Sequence, residues 1–223
     1  MRLCNFIITG ATLICVSARG EILDSVFFKM GILAALRSKK LDGKTIGVMV
    51  TASHNPEAVS ACFVIYMCEV THSRTTQDNG VKLVDPRGEM LESSWESHAT
   101  VLANASSTDE LIAALQDLIK SAKIDVSKPA RVVYARDTRP SGPALVAALE
   151  DGLKAVGAEA RNAGVTTTPI LHYLVRAINT KGTKDPYGDD SEEGYYTKLS
   201  SAFNKLIVRA LSWLCATLHD PSI

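Results

Sequence analysis

Apolar positions recur at helical spacing from Arg19 to Leu41. Ile22, Val26, Phe27, Met30, Leu33, Ala34 and Leu36 share a face, and Asp24 or Ser25 is placed to help start the helix. A turn at Asp42-Gly43 leads into Thr45-Ile46-Gly47-Val48-Met49-Val50, a short apolar run that predicts a buried strand. Val81 to Val84 alternates apolar and polar residues, and Asp85-Pro86-Arg87-Gly88 turns the chain toward Met90-Leu91, which is a hairpin signal. Leu91 to Trp95 leads into a helix ending near Ala103. A second helix runs from Ser106-Ser107-Thr108-Asp109-Glu110 to Ala122, with Leu111, Leu115, Leu118 and Ile119 on one face.

The same alternation continues to the end of the chain. Arg131 to Ala135 predicts a short buried strand, and Ser141 heads a helix through Ala155 that Gly157 closes. Ala158 to Val165 is a further strand, and Thr168-Pro169 opens a helix to Ile178. Residues 179–192, rich in Gly, Lys and Asp, predict an exposed loop. A last helix spans Gly194 to about Leu206, with Tyr195, Leu199, Ala202, Phe203 and Leu206 apolar. Strands alternating with helices predict an α/β fold, a mixed sheet flanked by helices.

Composition narrows the function classes. The 223 residues, 46% of them apolar, suffice for a substantial core, and 24 basic against 24 acidic residues leave no net charge to attract nucleic acid or an anionic membrane. No apolar run reaches the length of a membrane span. The stretch Met1 to Ala18 has the basic start and apolar centre of a weak signal peptide, but Asn5, Thr9, Gly10 and Thr12 interrupt it. Cytoplasm is the expected location. Cys4, Cys15, Cys62, Cys68 and Cys215 form no C-x-x-C pair, and Cys62, Cys68 and His72 match no standard zinc spacing, so free thiols are expected.

Candidate chemistry centres on Thr51-Ala52-Ser53-His54-Asn55-Pro56. These residues follow the carboxyl end of a buried strand, where α/β proteins place ligands and nucleophiles, although Asn-Pro and small hydroxyl residues also mark ordinary turns. The segment Thr45 to Glu57, together with Asp78-Asn79-Gly80-Val81-Lys82-Leu83-Val84-Asp85-Pro86-Arg87-Gly88-Glu89-Met90-Leu91, resembles the phosphoacetylglucosamine mutase branch of the α-D-phosphohexomutase superfamily. Three later segments look like first-domain signatures of the same branch: Arg136-Asp137-Thr138-Arg139-Pro140, Thr166 to Tyr173, and Glu193 to Ser200. The resemblance covers roughly residues 19–58 and 78–206, and implies domain 1 of that family's four.

That resemblance implies a reaction: interconversion of N-acetylglucosamine 6-phosphate and 1-phosphate through a phosphoserine and a 1,6-bisphosphate, on the route to UDP-N-acetylglucosamine. It makes Ser53 the phosphoserine and a ligand of Mg²⁺, with a hexosamine phosphate as substrate. His54 is read as a hydrogen-bond donor to the phosphate or a proton-transfer group, or else as a structural turn histidine. Asn55 shapes the turn. Arg136 and Arg139 flank Asp137 after a strand, and two readings are open: a guanidinium aimed at a phosphate, or an internal pair that fixes the loop. His172 and Tyr173 occupy apolar helix positions and are expected in the core. Arg139-Pro140-Ser141-Gly142 superficially matches a fourth-domain phosphate loop, but its place after Arg136-Asp137-Thr138 assigns it to domain 1.

Three segments depart from the family pattern: residues 1–18, 59–77 and 207–223. Val16-Ser17 stands where the family has Phe-Arg, so one phosphate-holding arginine is absent, and the Asp-rich metal loop and the sugar and phosphate loops of the later domains have no match. The insert 59–77 is expected to displace Asp78-Asn79-Gly80 from the serine loop. As a hypothesis, the three segments are translated intron or mis-predicted exon boundaries, since Val59-Ser60 can be written GTAAGT and Gln77 CAG. Other codons at those positions in the gene would remove that reading. The alternative for the insert is a genuine surface loop. Alternatives to a working mutase domain are a catalytically inactive fragment or another phosphohexomutase such as phosphoglucomutase.

Overall fold

The computed structural model describes residues 13–16, 20–51 and 79–218, with side chains over 23–51 and 79–209. Ser53, His54 and Asn55 lie outside the described residues, as do Asp78, the insert 59–77, and the side chains of all five cysteines.

Five strands form one mixed sheet: β1 (Leu13–Val16), β2 (Thr45–Val50), β3 (Asn79–Val84), β4 (Arg131–Arg136) and β5 (Glu159–Val165), in the order β1-β3-β2-β4-β5. β2, β4 and β5 run parallel, while β3 is antiparallel to both β2 and β1. The stretch read as an atypical amino-terminal segment thus supplies an edge strand. The helices are α1 (Gly20–Lys40), α2 (Glu96–Asn104, after a 3-10 turn at Ser93–Trp95), α3 (Thr108–Ser121), α4 (Gly142–Ala155), α5 (Thr168–Thr180) and α6 (Glu192–Leu218).

Period-two alternation sorts the strand residues between two helix layers. Ile46, Val48, Val50, Val81, Leu83, Val132 and Tyr134 face α1 and α4, whereas Met49, Val84, Val133 and Ala135 face Leu171 and Val175 of α5. With both faces covered, β2 and β3 are buried along their whole length. The half-polar pattern of Val81 to Val84 therefore does not mark a solvated face: Lys82 is fully buried.

The layer around α1 is closed by specific polar staples. Arg37 donates to both oxygens of Asp85 at 2.9 and 2.6 Å and to Glu92 at 3.0 Å, with its guanidinium 4.8 Å from the centre of the Trp95 ring. Asp85 also begins the predicted hairpin turn, which Gly88 completes at φ +82° before Met90 pairs back with Val84. Lys29 is buried and donates to the carbonyls of Ala103 and Ala105 at 3.3 and 2.8 Å, closing the end of α2. Where α1 crosses α4, a side chain at Gly152 would meet the Phe28 carbonyl oxygen at 2.0 Å, so only a glycine admits this approach.

Two helix ends differ from expectation. Ser141 has helical backbone angles and makes no side-chain cap; its hydroxyl instead accepts from Asn79. α6 extends to Leu218, past the expected end near Leu206; Tyr195 packs against Tyr173, whereas Leu199, Phe203, Leu206 and Val208 are exposed.

Candidate active site

The carboxyl ends of the parallel strands converge on Thr51, two residues before Ser53. The Thr51 amide donates to the Gly80 carbonyl at 2.9 Å, and the Asp137 amide donates to the Val50 carbonyl at 3.1 Å. The Thr51 hydroxyl donates to Asp137 Oδ2 at 2.9 Å. The ends of β2, β3 and β4 are therefore tied together where the serine loop leaves the sheet. Asn79 and Gly80 were expected to be displaced by the insert. They are instead hydrogen-bonded beside Thr51, and the Asn79 amide reaches Ser141 at 3.1 Å. A long excursion can leave and return at adjacent points because loop-closure entropy rises slowly with length.

Asp137 is the hub of the next loop. It accepts from the Arg139 backbone amide at 3.1 Å and from the Arg139 guanidinium at 2.8 Å, while Arg136 Nη1 donates to the Asp137 carbonyl at 3.0 Å. These bonds have the geometry of the internal-pair reading: both arginines brace residues 137–139. Arg136 also lies over Gly142, whose missing side chain leaves room for it.

A cleft of about 600 Å³ opens between these strand ends and the start of α5. Its walls include Met49, Thr51, Lys82, Asp137, Thr166 and His172. Sequence reasoning passed over Lys82 and Thr166. Lys82 lies opposite Met49 in the sheet, on the α5 side, and is fully buried, a state that lysine rarely reaches unless its ammonium is engaged. The signal was present: a lysine at the inward phase of a strand paired to an all-apolar neighbour. The buried Thr166 hydroxyl has no hydrogen-bond partner among the described residues. α5 begins two residues later with no side-chain cap from Thr167, so its positive dipole end adjoins the cleft.

His172 belongs to this wall and not to the core. Its Nδ1 lies 2.8 Å from the Gly88 carbonyl, which can only accept, so Nδ1 carries the proton and Nε2 is the acceptor in the neutral ring. Tyr173 is buried as expected and donates to the Asp189 carbonyl at 2.9 Å.

Comparison with known proteins gives this geometry a family. The model of the phosphoglucomutase/phosphomannomutase alpha/beta/alpha domain I matches residues 100–183. Phosphoacetylglucosamine mutase of Candida albicans is 44% identical over 199 residues, 84% of this chain and 32% of the relative. The chain is homologous to the first domain of the phosphohexomutases. The Homo sapiens phosphoacetylglucosamine mutase is 46% identical over 192 residues, 86% of this chain and 31% of its own. A crystal structure of Aspergillus fumigatus N-acetylphosphoglucosamine mutase with GlcNAc-6P and magnesium superposes with a TM-score of 0.68 at 46% identity, covering 84% of this chain and 31% of that one. The chain spans about a third of the length of the curated relatives it matches.

Proposed function

We propose that this chain is the phosphoryl-carrying first domain of a phosphoacetylglucosamine mutase, with Ser53 as the acceptor and residues 19–206 as the domain unit. The observation that carries this reading is the buried Lys82 in the cleft beside Thr51, with the open start of α5 on the opposite wall. A cation and a helix amino terminus around a strand-end loop favour a phosphate dianion there. The Ser53 hydroxyl attacks phosphorus of a sugar bisphosphate, the bond from phosphorus to the sugar oxygen breaks, and the serine proton passes to the departing sugar hydroxyl. In this reading His54, or His172 through its acceptor Nε2, relays that proton, Asn55 shapes the loop, and Arg136 and Arg139 brace Asp137.

In the complete family cycle the phosphate would return to the other hydroxyl, interconverting N-acetylglucosamine 6-phosphate and 1-phosphate in the cytoplasm. The described residues do not make a magnesium site by themselves. No three His, Cys, Asp or Glu come together among them, and Asp137 is turned toward Thr51 and Arg139. Mg²⁺ requires near-octahedral oxygen ligation, so a Ser53 phosphate would need carboxylates other than the described ones to hold it. In this reading the domain accepts phosphate, and the full cycle draws on metal ligands other than the described ones. A coupled assay for N-acetylglucosamine 1-phosphate tests this: purified chain alone is expected to give no turnover, and robust turnover that disappears in Ser53→Ala would contradict it.

A further inference from the structure

Beside the cleft, and outside it, the Tyr187 ring carries two cations. The Arg176 guanidinium carbon lies 4.0 Å from the ring centre and the Lys198 ammonium 3.8 Å. Lys198 also donates to the Tyr187 carbonyl, so its position is held from two directions. Attraction to a ring face leaves both positive charges unneutralised, and they repel each other.

Neighbouring carboxylates are committed elsewhere. Asp190 pairs with Arg161 and Lys181, Asp189 accepts from the Ser191 hydroxyl, Glu192 accepts from the Tyr196 hydroxyl, and Glu89 pairs with Arg87. Among the described residues, Arg176 and Lys198 have no ion-pair partner. Both open into a cavity of about 370 Å³ that Arg87, His172, Tyr173 and Tyr187 also line. Tyr173 packs against Tyr187 and Tyr195 at centre distances of 5.5 and 5.6 Å, which gives the cavity a rigid aromatic back.

We propose that this cavity binds a phosphorylated small molecule at a site distinct from the cleft at the strand ends. A phosphate in the cavity can accept from the planar donors of Arg176 or from the ammonium of Lys198, offsetting their unneutralised charge, while the tyrosines cover the ligand's less polar part. The volume suits a small ligand rather than a polymer. His172 and Pro169 line both this cavity and the cleft, so the two share a wall. Binding here is independent of the role given to Ser53.

The test is titration of the ¹⁵N-labelled full chain with inorganic phosphate and with pyrophosphate. Backbone amide signals of Tyr187, Gly188 and Lys198 should shift along one saturable curve, with the same affinity in Ser53→Ala. The double variant Arg176→Gln/Lys198→Gln should bind about tenfold more weakly or worse. Arg176→Glu, at an exposed position, should weaken binding at least as much while leaving the bond from Lys198 to Tyr187 intact. Unaltered affinity in these variants, or saturable shifts confined to Thr51 and Asp137, would overturn the proposal.

Discussion

The two sides of the sheet are built to different standards of closure. On the α1 side, helices α1 to α4 bury a continuous apolar cluster, and the charged groups that enter it are matched: Arg37 by Asp85, Lys29 by the free carbonyls of α2. On the α5 side the core is small, the buried Lys82 lines a cleft, the Thr166 hydroxyl has no partner among the described residues, and Leu199, Phe203, Leu206 and Val208 of α6 are exposed. The closed side supplies the stability that lets the other keep polar groups at open clefts.

Substitutions on the closed side should therefore cost folding, and those on the open side should cost ligand. The largest effect is expected for Arg37→Ala, which strands Asp85 as a buried charge; a loss of about 3–5 kcal/mol follows, read as a lowered denaturation midpoint in urea. Gly152→Ala should come next. Its methyl group would fall on the Phe28 carbonyl and force α1 and α4 apart, at roughly 3 kcal/mol and a Tm fall of about 6–12 °C by calorimetry. Lys82→Met sharpens the contrast in the other direction. Similar volume should keep the domain folded while phosphorylation of Ser53 slows by about a hundredfold, the scale of removing one charge-stabilising donor. Loss of folding without loss of phosphorylation rate in the remaining folded fraction would assign Lys82 to packing.

The smallest expected effect is a pH dependence at the loop before α6. Hydrogen bonding from Lys181, then from Arg161, holds the Asp190 carboxyl below its ordinary value. A depressed folded-state pKa means stability that is present above the unfolded value near 3.8 and is lost as pH falls through the folded one. Because both partners are substantially exposed, that contribution is at most about 1 kcal/mol. Asp190→Asn should remove it, flattening the stability profile below pH 4 when followed by urea denaturation across the acid range.

The sequence made the elements legible because period and punctuation agree in most of them: the helical spacing through α1, the turn at Asp85 to Gly88, the proline opening α5. It also placed Thr51 and Asp137 just after two buried strands, which the fold makes neighbours. Three things were hidden for identifiable reasons. The length of α6 was lost because apolar residues at helical spacing suggest a core face, and nothing local distinguishes a covered stripe from an exposed one. Lys82 was hidden because alternation alone does not say whether a strand's second face meets solvent or a helix. His172 looked like a core residue because its neighbours Leu171 and Tyr173 are, yet its own position faces the cleft. The Arg37–Asp85 pair joins residues far apart in the chain, and only the fold brings them together.

The central claim is that Ser53 accepts phosphate in a cleft this domain builds by itself. Intact-mass analysis after incubation with glucose 1,6-bisphosphate, with fragmentation to place the modification, tests it most directly. One added phosphoryl group on Ser53, and none on the Ser53→Ala chain, is the expected result. An unmodified chain that is demonstrably folded, or equal labelling of the alanine variant, would contradict it.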